Sequence, residues 1–585
     1  MGGGGGNMGG PQTPAGDQKK EGVAEAAPKA VGLLPTTPAL PPAKGRRKRW
    51  KLLELDGYFR ARTLWFKNFN LGFPDRPDLG GSPFPTPLGC KDTLHSDPPC
   101  GNSFGSTDMR LRLEPTINLD EGTSVHVQAD ALDNTLLGST PTGEIIGGGT
   151  YTSSNLPPLG AFGYTQDAPQ AGKNGTQNSI SVKRAWAEVA IPIGVIKVGR
   201  MPNQWGMGIM YNGGGLDPIN GTYDYDADYG DSIDRASFSL QIPGTPLRAM
   251  VAMDWPLTRL TSSQTLATDK GYEGRPFDLD QSDDLKEYVG VISKMDSPQE
   301  FKDTMERGGV AANYGVYFTY QTQGWDDDLV SFDGTTFNAD GDHYVPRGLK
   351  MYNPDVWAKV GWNHFTFEGE LAAQLGKIDH LDEYGIDTEV QVRKVGGAGR
   401  LQWKGLDNKL TLGFESGFAT GDQYDNTPQG TTNLAYSNPY GNKDDSDLTQ
   451  FIFNRAYNVD MILWRRLYGA VTNAVYFKPY IQYDLTKNIS FKGSNITSMA
   501  IKSVATPGNA RWYGTEFDVD LGFHTDRIYA GISYGVFFPF GAMNHPDTDA
   551  NGDSLNYGTD TTTGVTEIGD ASTAHTIQTR LVLAF

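Results

Sequence analysis

The chain predicts an all-β fold: a transmembrane, antiparallel, up-and-down β-barrel of about 18 strands, with long loops on one side. Three observations predict it. Apolar and charged residues alternate with a period of two. The alternating runs are about 10–14 residues long, where a membrane-crossing strand needs roughly 9–11. They are joined in turn by very tight connections and by long polar segments, and the last run continues to the final residue, Phe585. Most chains fray at that point.

Taken in order, residues 1–50 stand apart. Residues 1–45 are rich in Gly, Pro and Ala without periodicity and are expected to be disordered. The basic run Gly45-Arg46-Arg47-Lys48-Arg49-Trp50-Lys51 follows. It suits anionic phosphate beside a membrane, or a solubilising flank. The barrel is expected over 51–585. No charged segment leads into an apolar one at the start, so an export leader is expected to have been removed, or the start codon placed too late.

Strands are expected near 54–67, 107–119, 123–133, 180–191, 194–201, 233–242, 246–255, 286–295, 309–322, 350–361, 363–375, 388–403, 409–419, 474–486, 489–502, 511–523, 526–538 and 573–585. The pattern is plain in 108–114, where Met109, Leu111 and Leu113 oppose Asp108, Arg110, Arg112 and Glu114. It recurs in 513–523, where Phe517, Val519, Leu521 and Phe523 oppose Glu516, Asp518 and Asp520. The weakest run is 286–295, needed to keep the up–down order; 16 or 20 strands are the alternatives. Tight turns fall at Asp120-Glu121-Gly122, Pro192-Ile193-Gly194, Pro243-Gly244-Thr245, Trp362-Asn363, Lys487-Asn488 and His524-Thr525. Long connections fall at 68–107, 134–179, 201–232, 256–285, 420–473 and 539–572. No stretch approaches 18 consecutive apolar residues.

Composition agrees. The 27 Tyr, 27 Phe and 11 Trp suit aromatic girdles at two interfaces. A net charge of −19 argues against nucleic acid as a partner. The acidic stretch 223–231 reads as a solvated loop, with cation or glycan contact as the sharper alternative.

Alternation places one set of charges away from lipid, where a midplane charge costs about 2–4 kcal/mol. The expected lumen set is Arg60, Arg62, Arg110, Arg112, Arg184, Arg235, Arg248, Arg393 and Arg580, with Asp108, Glu114, Glu188, Glu368, Glu370, Glu389, Glu415, Glu516, Asp518 and Asp520. Such a field would sort permeating solutes by charge. The alternative is that the charges pair and brace the wall. Arg110, Arg112 and Arg184 are expected to favour anions. Segment 447–470 is too apolar for a free loop. It is expected either to fold into the mouth as a helical plug or constriction lined by Arg455, Arg465 and Arg466, or to add two strands; the insert keeps the strand order intact.

Other motifs are thinner. Cys90 and Cys100, the only cysteines, lie in one loop and suit a disulfide, with two free thiols as the alternative; their spacing excludes a CxxC site. Asp547, Asp549, Asn551 and Asp553 match the first half of a calcium loop, but Gly558 stands where the bidentate Glu belongs. No other cofactor is expected. Gly531-Ile532-Ser533-Tyr534-Gly535 matches a nucleophile elbow by letter but lies inside a strand.

The final strand with its terminal Phe585 resembles the C-terminal signature of Gram-negative outer-membrane barrels, read by the barrel-insertion machinery. Arg184-Ala185-Trp186-Ala187-Glu188-Val189, followed by Gly194-Val195-Ile196-Lys197-Val198-Gly199-Arg200-Met201-Pro202-Asn203-Gln204-Trp205-Gly206, resembles a strand pair of porin-like and alginate-export-like barrels. Gly417-Phe418-Ala419-Thr420-Gly421-Asp422, Gly514-Thr515-Glu516-Phe517-Asp518-Val519-Asp520 and Tyr534-Gly535-Val536-Phe537-Phe538-Pro539 are similar to the same group. The chain also resembles large uncharacterised outer-membrane proteins of delta-proteobacterial lineages. The resemblance implies a passive channel in the outer membrane, in contact with lipid and lipopolysaccharide. Such a channel would be expected to pass polar or anionic small solutes or oligosaccharides. Alginate specificity is not implied, because no complete arginine ladder aligns. A structural or adhesion barrel with a closed lumen is the alternative. An outer-membrane hydrolase is the lesser one, since His126 and His364 lack a partner by spacing.

Overall fold

The structure, a computed structural model, describes residues 51–73, 103–137, 180–228, 230–256, 285–328, 331–332, 337–338, 343–380, 389–422, 447–546 and 568–585. The disulfide expected at Cys90 and Cys100, the calcium loop at Asp547, Asp549, Asn551 and Asp553, and residues 1–50 lie outside them.

Alternation builds 18 long strands. They are β1 Leu53–Lys67, β2 Ser103–Asn118, β3 Thr123–Leu136, β4 Ile180–Ile191, β5 Gly194–Pro202, β6 Ser232–Gln241, β7 Leu247–Trp255, β8 Lys286–Lys294 and β9 Val310–Asp328. The second half has β10 His343–Trp362, β11 Phe365–Ile378, β12 Val390–Gly405, β13 Leu410–Ala419, β14 Ala474–Asp484, β15 Ile489–Ala500, β16 Trp512–His524, β17 Ile528–Pro539 and β18 Ala574–Ala584. Each pairs antiparallel with the next. β18 pairs with β1, Arg580 opposite Arg62, and the sheet closes. Closure removes the free edges that an open sheet would expose. At the seam Gly57 and Phe585 exchange both backbone hydrogen bonds, at 3.1 and 3.0 Å. The Phe585 ring sits where a side chain on Gly57 would be.

The outer face is apolar, and several large side chains on it are about half exposed, among them Leu371, Phe367 and Val251. Tyr288, Tyr320 and Tyr352 lie opposite one another on consecutive strands, with ring centroids 6.4 and 5.1 Å apart. The inner face is polar or packed by loops. An apolar outside, a charged inside and a closed wall are what lipid requires of a spanning sheet. The start of β1 and the end of β18 share one rim with eight connections, seven of them tight and the eighth, 295–309, carrying a helix; the other nine connections leave from the opposite rim. In an outer-membrane barrel the short side faces the periplasm.

Strand β8 reads weakly in the sequence for a physical reason. Its inward Val289 and Val291 pack under a loop, while Tyr288 and Ile292 face lipid, so both faces are apolar. Strands β9 and β10 run past their expected ends at 322 and 350 and pair as a projecting hairpin, satisfying each other's backbone groups. The link from β8 to β9 carries a helix, α1 Pro298–Glu306, with a Ser297–Glu300 capping box. Its Phe301 lies against the inward-facing Gly361.

Candidate functional site

The lumen is shaped by two loops that fold inward. The third long loop, 203–231, leaves β5 at Asn203-Gln204-Trp205-Gly206-Met207-Gly208. Trp205 packs against Tyr317 and Trp357 at centroid distances of 5.6 and 6.2 Å, and Ile219, Met250, Val289 and Val291 complete an apolar cluster. The loop descends far: Gly221 approaches Pro298 of α1, and Asn220 Oδ1 accepts from Lys359 Nζ at 2.5 Å. The side of the lumen under β7–β11 is thereby filled.

The return limb of this loop is the acidic stretch 223–231. It is not a solvated surface loop. It lies on the arginine wall, because guanidinium groups turned inward need acceptors. Arg62 Nη1 donates to Asp226 at 3.1 Å and Asp228 at 2.9 Å, and its Nε to Asp108 at 3.1 Å. Arg60 reaches Asp228 at 3.3 Å and the Tyr225 carbonyl at 2.9 Å. Arg110 bridges to Asp133 at 2.7 Å, and Arg112 is bidentate to Asp130 at 2.6 and 2.7 Å. Arg465 meets Asp226 at 2.7 Å, Arg580 meets it at 3.6 Å, and Arg466 lies 4.0 Å from Asp228 over the Phe66 ring. Among the described residues, seven arginines and five aspartates thus form one connected network. Burial alone would push Asp226 up; the guanidiniums of Arg580, Arg465, Arg62 and Arg60 outweigh it and hold the carboxyl well below its usual range. Asp228 is held low in the same way, burial again outweighed, here by Arg62, Arg60, Arg110 and Arg466.

The described parts of the seventh loop, 420–422 and 447–473, fill the mouth from the other side. Residues 447–473 form an inward meander rather than a helical plug or two further long strands. Its helical content is one π turn, Leu463–Leu467. Phe451, Phe453, Val459, Ile462, Leu463 and Trp464 pack with Leu64, Phe66 and Phe537 of the wall. Wall carboxylates fasten it by its backbone: Glu516 accepts the N–H groups of Met461, Ile462 and Leu463 at 2.9, 2.8 and 3.1 Å. Within the loop, Asp460 accepts from the backbone of Trp464 and Arg465 at 2.9 and 3.0 Å. Burial pushes that carboxyl up to about 6.

On the inner face of β12–β15, Arg400 and Lys492 keep contact with water. Glu368 of β11, Arg400, Glu415 and Lys478 sit opposite one another on successive strands, a belt of alternating sign in which Glu368, Glu415 and Lys478 are buried. Arg400 bonds Glu415 at 3.2 Å and keeps 28% of its side chain exposed. Lys492 is half-buried, with Lys478, Asp520, Glu415 and Arg400 around it. Asp224 of the third loop is exposed although the barrel encloses it, and Asn458 of the seventh loop donates to it at 3.5 Å.

Of the residues expected in the lumen, Arg60, Arg62, Arg110, Arg112 and Arg580 join the network. Among the described residues Arg184 has no carboxylate in its hydrogen bonds: it ties the outgoing limb of the third loop to its end through the Gly213 and Asp231 carbonyls, at 2.6 and 2.9 Å. Arg235 is buried against Asp254 at 2.5 Å and Tyr317 at 2.6 Å. Arg248 lies half-buried beside Glu300 and Asp296 at the short-turn rim. Glu188 pairs with Lys197 at 3.0 Å. Glu415 accepts from Tyr457 and Tyr476 at 3.1 and 3.0 Å, and Asp518 is buried beside Glu516. Arg393 corrects the expectation. It points outward, 61% exposed, and pairs with Asp447 at 3.5 Å; Glu389 likewise meets Lys377 outside at 2.5 Å. Here Val390 and Val392 face inward to pack on Leu448, so apolar no longer means outside. Of the expected constriction, Arg465 is enclosed and bonded to Asp226; Arg466 is enclosed 4.0 Å from Asp228, its Nε and Nη2 buried without a hydrogen bond; Arg455 is exposed. Arg400, Lys478 and Lys492 were not among the expected residues, though each stands between outward neighbours such as Leu401, Phe477 and Phe491. Strand alternation alone could have found them.

No family model and no curated protein matches the chain. Among solved structures it is similar to Acinetobacter baumannii OccAB3, at 9% identity and a TM-score of 0.42, over 91% of this chain and 99% of that one. It is similar to a BenF-like porin from Pseudomonas fluorescens Pf-5 at 8% identity and 0.41, over 91% and 99%. Pseudomonas aeruginosa OccK8 (OprE) gives 8% and 0.40, over 91% and 98%. At that level of likeness the lumen has to be read from its own residues. With 18 antiparallel strands closed on themselves, an apolar outer face, a charged inner face and two loops folded into the mouth, the chain has the architecture of a transmembrane β-barrel.

Proposed function

We propose that the barrel is a passive channel for small polar and charged solutes. Their path would be the crescent between the third loop and the inner face of β12–β15. One observation carries this reading. Charges of both signs on that face and opposite it, Arg400, Lys492 and Asp224, are reached by solvent although the wall encloses them. A lumen sealed by side chains has no reason to keep charges wet. The part-exposed cations Arg400 and Lys492, with the exposed Asp224 of the loop, would orient a dipolar or anionic solute during passage.

The test is conductance in a planar bilayer. Stepwise currents, with anion preference reduced by Arg400→Gln and Lys492→Gln together, support the reading. A wild-type barrel that inserts and passes no current would favour the second reading, a structural barrel. The apolar cluster around Phe451, Phe453, Ile462 and Trp464 in the mouth speaks for that one.

Catalysis finds less support. His126 does have neighbours, but Ser124 and Glu188 approach the same ring nitrogen, Nε2, at 3.0 and 4.0 Å, and Thr116 holds Nδ1 at 3.1 Å. A relay needs the acid on the nitrogen opposite the nucleophile.

A further inference from the structure

The third loop is fastened to the wall by an acid pair that has no cation beside it. Asp355 on β10 and Glu370 on β11 are diagonal neighbours: Asp355 stands opposite Ala372, and Trp357 opposite Glu370. Both are buried, at 0% and 4% exposure. Among the described residues no Lys, Arg or His lies within ion-pair distance of either. Glu370 gives both oxygens to the third loop, accepting the Gly208 N–H at 2.9 Å and the Ile209 N–H at 3.2 Å. Gly206 and Gly208 have φ of 53° and 87°, which turns successive N–H groups into a nest for the carboxylate. A side chain on Gly206 would lie 2.5 Å from Glu370 Oε2.

Asp355 is the odd partner. Both its oxygens are buried without a well-formed hydrogen bond, as is the Trp205 indole N–H, although Glu370 and Trp205 are within its reach. The titratable groups around the pair are Tyr211 of the third loop, Tyr457 of the seventh, Glu368 beside it on β11 and Glu287 on β8 beyond Tyr211. None of these is a cation. Lys359 and Arg400 lie beside Glu368 and serve that residue. Two neighbouring carboxyls in a dry site with no counter-charge cannot both ionise. The acids at the seventh loop differ, since Lys478 and Arg465 stand next to Asp460.

We propose that Asp355 and Glu370 form a proton-dependent latch, which holds the third loop against the wall while the pair keeps one proton and releases it when that proton leaves. The latched state binds one more proton than the released state, so raising the pH disfavours it, by up to about tenfold per pH unit. The latch stands on the geometry of the pair; only its effect on conduction rests on the channel reading.

The test uses the full chain in lipid vesicles, with Cys90→Ser and Cys100→Ser, and Ile209→Cys as a reporter. Ile209 is fully buried while the loop is down. Labelling by a charged maleimide is followed from about pH 6 to about pH 9, the range in which buried acids titrate. Rates are divided by those of the same protein carrying Asp355→Asn, which cancels the reporter thiol's own titration. The ratio should climb by up to about tenfold per pH unit. A flat ratio overturns the latch. Glu370→Gln should flatten the curve as Asp355→Asn does, and replaces it as the reference if that variant fails to fold. Current recorded in parallel separates the two claims. A rising ratio without current at any pH keeps the latch and sinks the channel. Current with a flat ratio does the reverse.

Discussion

Two arcs of the inner wall carry similar charges and differ in everything else. On β1–β3, arginines are buried and matched to carboxylates, two of which, Asp226 and Asp228, arrive on a loop from more than 160 residues away. On β12–β15, Arg400 and Lys492 keep contact with water and are matched only in part, by wall neighbours. The difference is the loop. Where it covers the wall, charge becomes structure. Where it stands off, charge keeps contact with water. A residue's presence on the lumen face therefore does not reveal its role; the cover does.

The largest effect expected from breaking the first arc is on folding. Asp226→Asn with Asp228→Asn strands buried guanidiniums, a loss of about 3–5 kcal/mol in urea unfolding of the reconstituted barrel. Lys492→Gln on the second arc should stay within about 0.5 kcal/mol. Equal losses would erase the distinction.

The seam comes next, because β18 pairs with β1 at the edge of the covered arc. Removing Phe585 deletes two backbone hydrogen bonds to Gly57 and a ring packed over it. The heat-modifiable, folded fraction in the outer membrane should fall. Unchanged folded levels would mean that the terminal residue neither guides insertion nor closes the wall.

Selectivity sharpens the contrast from the other side. Arg110→Gln, Arg112→Gln and Arg184→Gln together were expected from sequence to move reversal potentials toward cations. With Arg110 and Arg112 neutralised by aspartates and Arg184 spent on backbone carbonyls, the triple variant should leave them in place. Arg400→Gln with Lys492→Gln should move them. The opposite pattern would reverse the assignment of the two arcs.

Acid offers the gentlest probe. A depressed carboxyl contributes stability that is present above its unfolded pKa and lost only as pH falls through the folded one. Asp226 and Asp228 are held well below the usual carboxylate range. The covered arc should therefore stay protected from protease down to about pH 4, the unperturbed range for Asp. Loosening at mildly acidic pH would show that the network is weaker than its distances imply.

The strands were legible because lipid imposes one rule along the whole wall: period two, apolar outward. The 18 strands follow from it almost residue by residue. The rule fails where lipid is absent. At Val390 and Val392 the apolar side turns inward to meet Leu448, and Arg393 goes with the reversal to the outside. The paths of the two loops were legible only in composition. Segment 447–470 is too apolar for water, but nothing local says that Glu516 will hold its backbone. Asp226 and Asp228 look like any acidic loop until Arg62 is placed opposite them. Pairing across so long a separation depends on closure, which no window of sequence contains.

That network also bears on the order of assembly. Arg62 belongs to the first strand and Arg580 to the last, and both reach Asp226. Arg465, from the seventh loop, reaches it too. One carboxylate is thus shared by the first strand, the seventh loop and the last strand. It cannot collect all three partners until the final hairpin has docked. A barrel that stalls one strand short would keep most of its ladder yet leave this knot half tied, with unmatched cations in a dry interior. The interior charges are fully matched only in the closed wall that encloses them.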